Sequence, residues 1–382
     1  MLTLMAFGGP QAHLALFLDR LVKKRGYITE DELIELNSFC QILPGPASTQ
    51  TLTAIGFKIG GPRLAFLTLL VWIFPACFFM TAIAVVLEYL KSHNISIEFA
   101  RYMQPVAIGF VMFAAYKIGL MVVRTMTAYV IFVVSAVFCY FVDSPAIFPL
   151  LLLICGVITA FKYKGQPKQE KKEKWKIEWA NLFLYFGIFA AAAIIGNATN
   201  YFPLLLFENF FRNGSLIFGG GDALSAYFFK EFVEFKQYLS REELLTGYAI
   251  QKALPGPLFA FSSFVGALSM RHAGVYGEIW GGIIAAAGIF LPGTILIFFM
   301  IRIWNKLKEY RVVRASLEGI NAASAGIVTA TALVMIDPIM VLPNTQIAIH
   351  SMIIAATVTL LVATKIPPSY IILSALLAGF IL

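Results

Sequence analysis

The chain has 382 residues, of which 59% are hydrophobic and only 13% charged, with a formal net charge of +8. Soluble domains carry about 25% charged residues, and the mean hydropathy here is +0.81, so the composition excludes an ordinary soluble domain and predicts an integral membrane protein. The basic surplus sits mostly in short loops between apolar runs, where Lys and Arg set orientation in a bilayer, so it implies no nucleic-acid partner.

In chain order, Met1 to Gly9 lack the basic start of a cleavable signal peptide. Phe7-Gly8-Gly9-Pro10 reads as a tight loop opening a helix, with Pro10 in its first turn. Asp19 and Lys23 are spaced for an i,i+4 pair, and Lys23, Lys24 and Arg25 suit the end of that helix before Gly26. Thr29-Glu30-Asp31-Glu32 spells a capping box, with Ile28 and Leu33 placed as a hydrophobic staple. That helix meets Leu43-Pro44-Gly45-Pro46. Proline removes a backbone donor and clashes with the preceding turn, so the helix must break there, and Pro46 can restart it through Ala47, Ser48, Thr49 and Gln50. The region predicts a re-entrant, half-length hairpin. Long apolar runs follow at 64–87 (with a kink expected at Pro75), 103–123, 127–142 and 146–161, separated by a turn at Asp143-Ser144-Pro145. Residues 162–181 read as a linker with seven lysines against three glutamates. A further span occupies 182–206.

The opening pattern then returns 211 residues later: Phe218-Gly219-Gly220 for Phe7-Gly8-Gly9, a capping box at Ser240 to Glu243, a staple of Leu239 and Leu244, and Leu254-Pro255-Gly256-Pro257. Spans at 275–303, 318–336, 345–363 and 369–382 complete the chain. Gln104 and Gly109 correspond to Asn321 and Gly326, now 217 residues later. The repeated order predicts a first repeat at 1–161, a linker at 162–181, one extra span at 182–206 and a second repeat at 207–382. With the lysine-rich linker in the cytoplasm, counting spans puts the segment around Lys58 and Arg63 inside, the 88–101 loop outside, and Arg302, Lys306, Lys308, Arg311 and Arg314 inside. The single span at 182–206 inverts the second repeat. The expected fold is therefore an all-α polytopic membrane protein of two inverted-topology repeats with broken helices at the two Leu-Pro-Gly-Pro motifs.

Folds of this kind place substrate near the midplane, where broken helices point their ends. Helix starts offer free amides and partial positive charge, which suits an anion. Four such starts lie near Pro10, Pro46, Asp222 and Pro257. Gly8, Gly9, Gly45, Gly219, Gly220 and Gly256 would let a ligand approach the backbone, and Ser48, Thr49, Gln50, Ser262 and Ser263 would add hydroxyls and a carboxamide. Serines and threonines in membrane helices also bond their own backbone, so the signal lies in the joint pattern. Asp222 stands where the first half has Gln11, as an N-cap or an intramembrane proton carrier. Lys252 would add cationic charge beside the second break or extend to the interface. His13, one turn into the first helix, is expected at a solvated position, the alternative being a titrating relay for a proton-coupled cycle. Cys40, Cys77, Cys139 and Cys155 have no paired spacing and no histidine cluster nearby, so packing roles are expected, with no metal, redox centre or cofactor.

Phe-Gly-Gly-Pro at 7–10, Leu-Pro-Gly-Pro at 43–46, Phe-Gly-Gly-Gly-Asp at 218–222 and Leu-Pro-Gly-Pro at 254–257 together resemble the chromate ion transporter family in its long form of two fused halves. Members of that family carry a longer stretch before the first motif than Met1 to Ala6. The resemblance implies a secondary transporter of the plasma (inner) membrane, not an enzyme, that exports chromate, with sulfate as a close analogue. The implied site lies on Gly8, Gly9, Pro10, Pro44, Gly45, Pro46, Gly219, Gly220, Gly221, Pro255, Gly256 and Pro257. The expected partners are an oxyanion and the lipid bilayer, and the sequence is compatible with a homo-oligomer.

Overall fold

The computed structural model describes residues 2–6, 9–93, 101–142, 147–161, 179–218, 221, 223–301, 311–364 and 366–381. Among these there are fifteen α-helices and no strands: α1 (Gly9–Phe17), α2 (Glu30–Ile42), α3 (Ala47–Ser92), α4 (Met103–Val122), α5 (Met126–Phe141), α6 (Ile147–Ala160), α7 (Ala180–Thr199), α8 (Phe202–Leu216), α9 (Leu224–Phe228), α10 (Arg241–Ala253), α11 (Phe261–Ser269), α12 (Gly274–Met300), α13 (Arg311–Val334), α14 (Asn344–Ala363) and α15 (Pro368–Ile381). Six helical stretches are long and apolar enough to cross a bilayer. The linker at 162–178 lies outside the described residues.

The helices face two environments. On the long arm of α3, Leu67, Leu70, Val71, Phe74 and Phe78 are each more than half exposed, whereas Leu69, Trp72, Ile73, Ala76 and Met80 are buried. An apolar stripe of that size turned outward suits lipid, because lipid needs no polar cover. Inside, close packing rests on small residues, as is usual where helices meet in membranes. Gly109 of α4 lies against Thr357 of α14, and its partner 217 residues on, Gly326 of α13, lies against Phe132 and Ser135 of α5. The pattern is crossed. α13 packs on α5 and α6, while α4 packs on α14 and α15.

Both predicted capping boxes are present. Thr29 and Glu32 exchange bonds of 2.9 and 3.3 Å at the start of α2, and Ser240 and Glu243 exchange bonds of 2.8 and 3.2 Å at the start of α10. The staple residues Ile28, Leu33, Leu239 and Leu244 are all buried. Both helices end where the prolines demand, and the chain restarts at Ala47 in one half and at Leu258 in the other.

Four expectations are corrected. The helical segment 47–92 is interrupted by non-helical backbone at Gly60 and Gly61, whereas Pro75 stays within continuous helix. The span expected at 182–206 ends at Thr199, because Asn200 turns the chain with a left-handed backbone, and a separate helix, α8, follows. Asp19 pairs with Arg20 and Lys24 instead of Lys23. The physical reason is a π-helical turn over Leu18–Lys23, which closes bonds five residues apart and brings Lys24 beside Asp19. A matching π-helical turn runs through Phe229–Phe235. Fourth, His13 is buried, as described below.

Two features of this framework are open to direct test. Glu243 accepts bonds from Lys91 (2.7 Å) and Arg271 (2.6 Å) as well as from the Ser240 backbone. Burial pushes its carboxyl up, but the bonds from Lys91, Ser240 and Arg271 outweigh burial and hold it below the usual carboxylate range. Such a group contributes stability above its ordinary range and loses it as pH falls through the depressed value. Glu243→Gln is expected to lower the thermal midpoint at neutral pH and to flatten the loss of stability on acidification, measured on detergent-solubilised protein from about pH 7 to about pH 2. An unchanged acid slope would remove this clamp from the account. The second feature is Gly256, which has φ +122° and would place an added Cβ 2.6 Å from the Ala76 Cβ. Gly256→Ala should therefore cost about 2 kcal/mol or more. Gly26→Ala, at φ +62° with open space around it, should cost about 1 kcal/mol; chemical unfolding of the two variants compares them.

Candidate functional site

The structure joins the two breaks to the segments that flank the two glycine-rich motifs in a ring. The Gly45 amide donates to the Ile217 carbonyl at 2.8 Å, and the Gly256 amide donates to the Ala6 carbonyl at 2.8 Å. Ile217 lies 211 residues after Ala6, as Gly256 does after Gly45. Each break is thus closed by the segment that leads into the other half's glycine-rich turn. Within the halves, Ser48 beside the first break bonds His13 of α1 at 3.0 Å, and Gly221 lies directly against Leu258 beside the second break. A buried amide left unbonded is costly in a membrane, and proline has already removed neighbouring donors, so these crossed bonds are what lets the chain break there.

Both glycines need their backbone: Gly45 has φ +108° and Gly256 has φ +122°, a region that residues with a side chain avoid. Gly45 is enclosed by Gln50 and Gly214. Gln50 donates its amide to the Pro44 carbonyl at 2.7 Å, bridging the first break. Gln251 donates to the Pro257 carbonyl at 3.5 Å across the second. Sequence reasoning missed Gln251, since its counterpart in the first half is Cys40; a buried carboxamide one turn before the Leu-Pro-Gly-Pro motif was the available signal. Both carboxamide oxygens are buried without a hydrogen-bond partner, and so is the Ser262 hydroxyl of α11. Ser263 lies next to the Cys77 thiol. A carboxamide carries two donors and an acceptor and can turn them toward a ligand.

Several predicted residues hold the scaffold. His13 is buried, contrary to the solvated position expected of it, because α1 packs it against the edge of Trp72, with ring centroids 5.2 Å apart. Its Nε2–H donates to the Ala6 carbonyl at 3.1 Å, and its Nδ1 accepts the Ser48 hydroxyl. Both ring nitrogens are engaged in the neutral form, and the Ser48 proton is committed to His13. Thr49 accepts the Trp72 indole N–H at 3.2 Å. The Lys252 ammonium lies 5.2 Å from the Tyr248 ring centre, a cation–π distance. Pro44 and Pro255 are half-buried, whereas Pro46 and Pro257 are buried. Gly9, Pro10 and Gln11 form the first turn of α1. Gly8, Gly219, Gly220 and Asp222 lie outside the described residues. The four cysteines are unpaired, and no group of metal-binding side chains occurs among the described residues.

Broken helices that meet within a multi-pass helical protein are a recurrent feature of membrane transporters. The chain belongs to the chromate transporter family, whose model matches residues 1–160 and 204–380, so it is a transporter and not an enzyme. It is 25% identical to a chromate transport protein of Cupriavidus metallidurans over 87% of this chain and 79% of that one. It is 23% identical to a chromate transport protein of Pseudomonas aeruginosa, over 86% and 77%. An uncharacterised transporter of Methanocaldococcus jannaschii is 22% identical over 86% and 80%. No solved structure matches the chain.

The ring also makes a stability prediction. His13→Phe removes a donor from Ala6 and leaves the Ser48 hydroxyl without its acceptor, which should cost about 1–3 kcal/mol. Adding Ser48→Ala should restore part of that loss, so the double variant is expected to unfold at higher denaturant than His13→Phe alone; strict additivity would show that the pair does not interact.

Proposed function

We propose that this protein carries chromate across the plasma membrane, binding it where the four backbone tips meet and exporting it from the cytoplasm by alternating access of two inverted repeats. The observation that supports this reading most is the crossed ring. It draws helix starts from both halves to one place, beside the buried Ser262 hydroxyl, which has no partner and can donate to an anion. A tetrahedral dianion suits amides and small polar groups of this sort, because helix starts stabilise negative charge without requiring a fixed cation. Gly8, Gly9, Pro10, Pro44 to Pro46, Gly219 to Gly221 and Pro255 to Pro257 of the paired motifs supply the backbone, while Ser48 and Thr49 hold its shape.

Two inverted halves allow the access path to switch sides by rocking one half against the other. With the linker cytoplasmic, basic residues cluster on the inner side of both halves, as the positive-inside rule expects. Export of a dianion from a negative interior is favoured by about 2.3 kcal/mol per charge per 100 mV, or about 4.6 kcal/mol for two charges. The membrane potential alone is therefore an adequate driving force. A proton-coupled cycle would call on Asp222.

The test is chromate flux into proteoliposomes at set membrane potentials, with and without excess sulfate. Saturable, potential-dependent flux is expected. Gln50→Glu keeps the side-chain shape but sets a negative charge at the first break, and it should reduce flux by about tenfold or more, equivalent to about 1.4 kcal/mol or more. Flux of sulfate with little chromate would replace the substrate, and no flux of either anion from folded protein would overturn the proposal.

A further inference from the structure

A cavity of roughly 1150 Å³ opens between the halves, away from the ring of tips. Its wall comes from the end of α3, the starts of α4, α10 and α14, and the short turn over Asp337–Val341, and Phe264 and Leu268 of α11 also line it. No residue of either Leu-Pro-Gly-Pro motif lines it. By span count it lies on the side of the 88–101 loop.

Three basic side chains line this cavity, Lys91, Arg101 and Arg241, with three carboxylates, Glu88, Glu242 and Glu243. The two sets do not cancel locally. Glu243 is bonded by Lys91 and Arg271, and Glu88 lies 3.5 Å from Arg271, which leaves the exposed Glu242 as the lining acid without such a bond among the described residues. Arg101 and Arg241 are held differently. Arg101 stacks 4.8 Å over the Tyr102 ring and Arg241 lies 5.0 Å over the Phe229 ring. Among the described residues neither is hydrogen-bonded to a carboxylate, although Glu234 and Asp337 act on Arg241 through space. The Nη1 of Arg241 is buried with no acceptor. Buried guanidinium donors are ordinarily bonded, so this one is free to donate to a group in the cavity. His350, whose Nδ1 is likewise buried without a partner, and the carboxamides of Gln104 and Gln346 line the same cavity.

We propose that this cavity is a second oxyanion site, a vestibule in which Arg101 and Arg241 hold a tetrahedral anion at the mouth of the transport path. Guanidinium groups fit such anions because their planar forks donate paired bonds to two oxygens. Aromatic faces fix the forks without neutralising them. That the anion is the transported one rests on the function proposed above; the chemistry of the site, a sulfate-like or phosphate-like group, does not. A lipid phosphate offers the same chemistry as a free anion, and the experiment separates the two.

Full-length protein in neutral detergent is treated with phenylglyoxal, and modification of each arginine is read by peptide mass spectrometry. Sulfate, compared with chloride at equal ionic strength, should slow modification of Arg101 and Arg241 by about tenfold while leaving the exposed Arg63 and Arg124 unchanged. Protection by phosphatidylglycerol micelles with none by sulfate would support the site and assign it to a lipid headgroup. Equal modification in sulfate, lipid and chloride would overturn it. In proteoliposomes, Arg101→Gln and Arg241→Gln should each raise the KM for chromate by about tenfold with Vmax retained. An unchanged KM alongside normal chromate flux would overturn the vestibule and leave the transport reading intact. Protection by sulfate in a protein that moves no chromate would support the site and overturn the transport reading instead.

Discussion

A backbone amide inside a bilayer has no water to bond, so it must find an acceptor within the protein. At each Leu-Pro-Gly-Pro break that acceptor is a carbonyl from the other half, Ile217 for Gly45 and Ala6 for Gly256. The rest of the architecture depends on these two bonds. They allow the helices to stop at the prolines and tie each break to the segment that precedes the other half's glycine-rich motif. The crossed packing of α4 on α14 and of α13 on α5 continues the same exchange farther from the centre.

Much of this was legible in the sequence because it is local. Capping boxes, staples and proline breaks are set by residues within a few positions of one another, and both copies form as read. The apolar spans were legible because lipid selects for length and hydropathy. What escaped depends on contacts distant in the chain or on small changes in helical pitch. Nothing near His13 announces that Trp72 and Ser48 will enclose it. The π-helical turn that moves Asp19 from Lys23 to Lys24 differs from an α-helix by one residue per bond. Helix α8 was folded into the preceding span because only the left-handed backbone at Asn200 separates them. Of the candidate site, the breaks and their glycines were legible. The crossed bonds were not, since they join residues roughly 170 to 250 positions apart, nor were the role of Gln251 and the arginines of the outer cavity, which no local pattern singles out.

The two halves are alike in backbone and unlike in side chains. In the second, Arg212 is bonded to Glu208 and Glu231, and the buried Lys230 lies 2.7 Å from Glu234. Buried pairs of this kind must be satisfied because breaking one leaves a charge in a low dielectric. The corresponding stretch of the first half, around Asp19, Arg20 and Lys23, is partly exposed. One half is thus locked by internal ion pairs where the other meets solvent, which distinguishes two halves that share one plan.

The bonds between the halves join main-chain atoms only, and this shapes what evolution can alter. An amide and a carbonyl survive replacement of almost every neighbouring side chain, so Ala6 and Ile217 can differ while performing one task. Glycine is required only on the donor side. Either half can therefore accept substitutions around the centre without loosening its grip on the other, which leaves the two free to be chemically distinct.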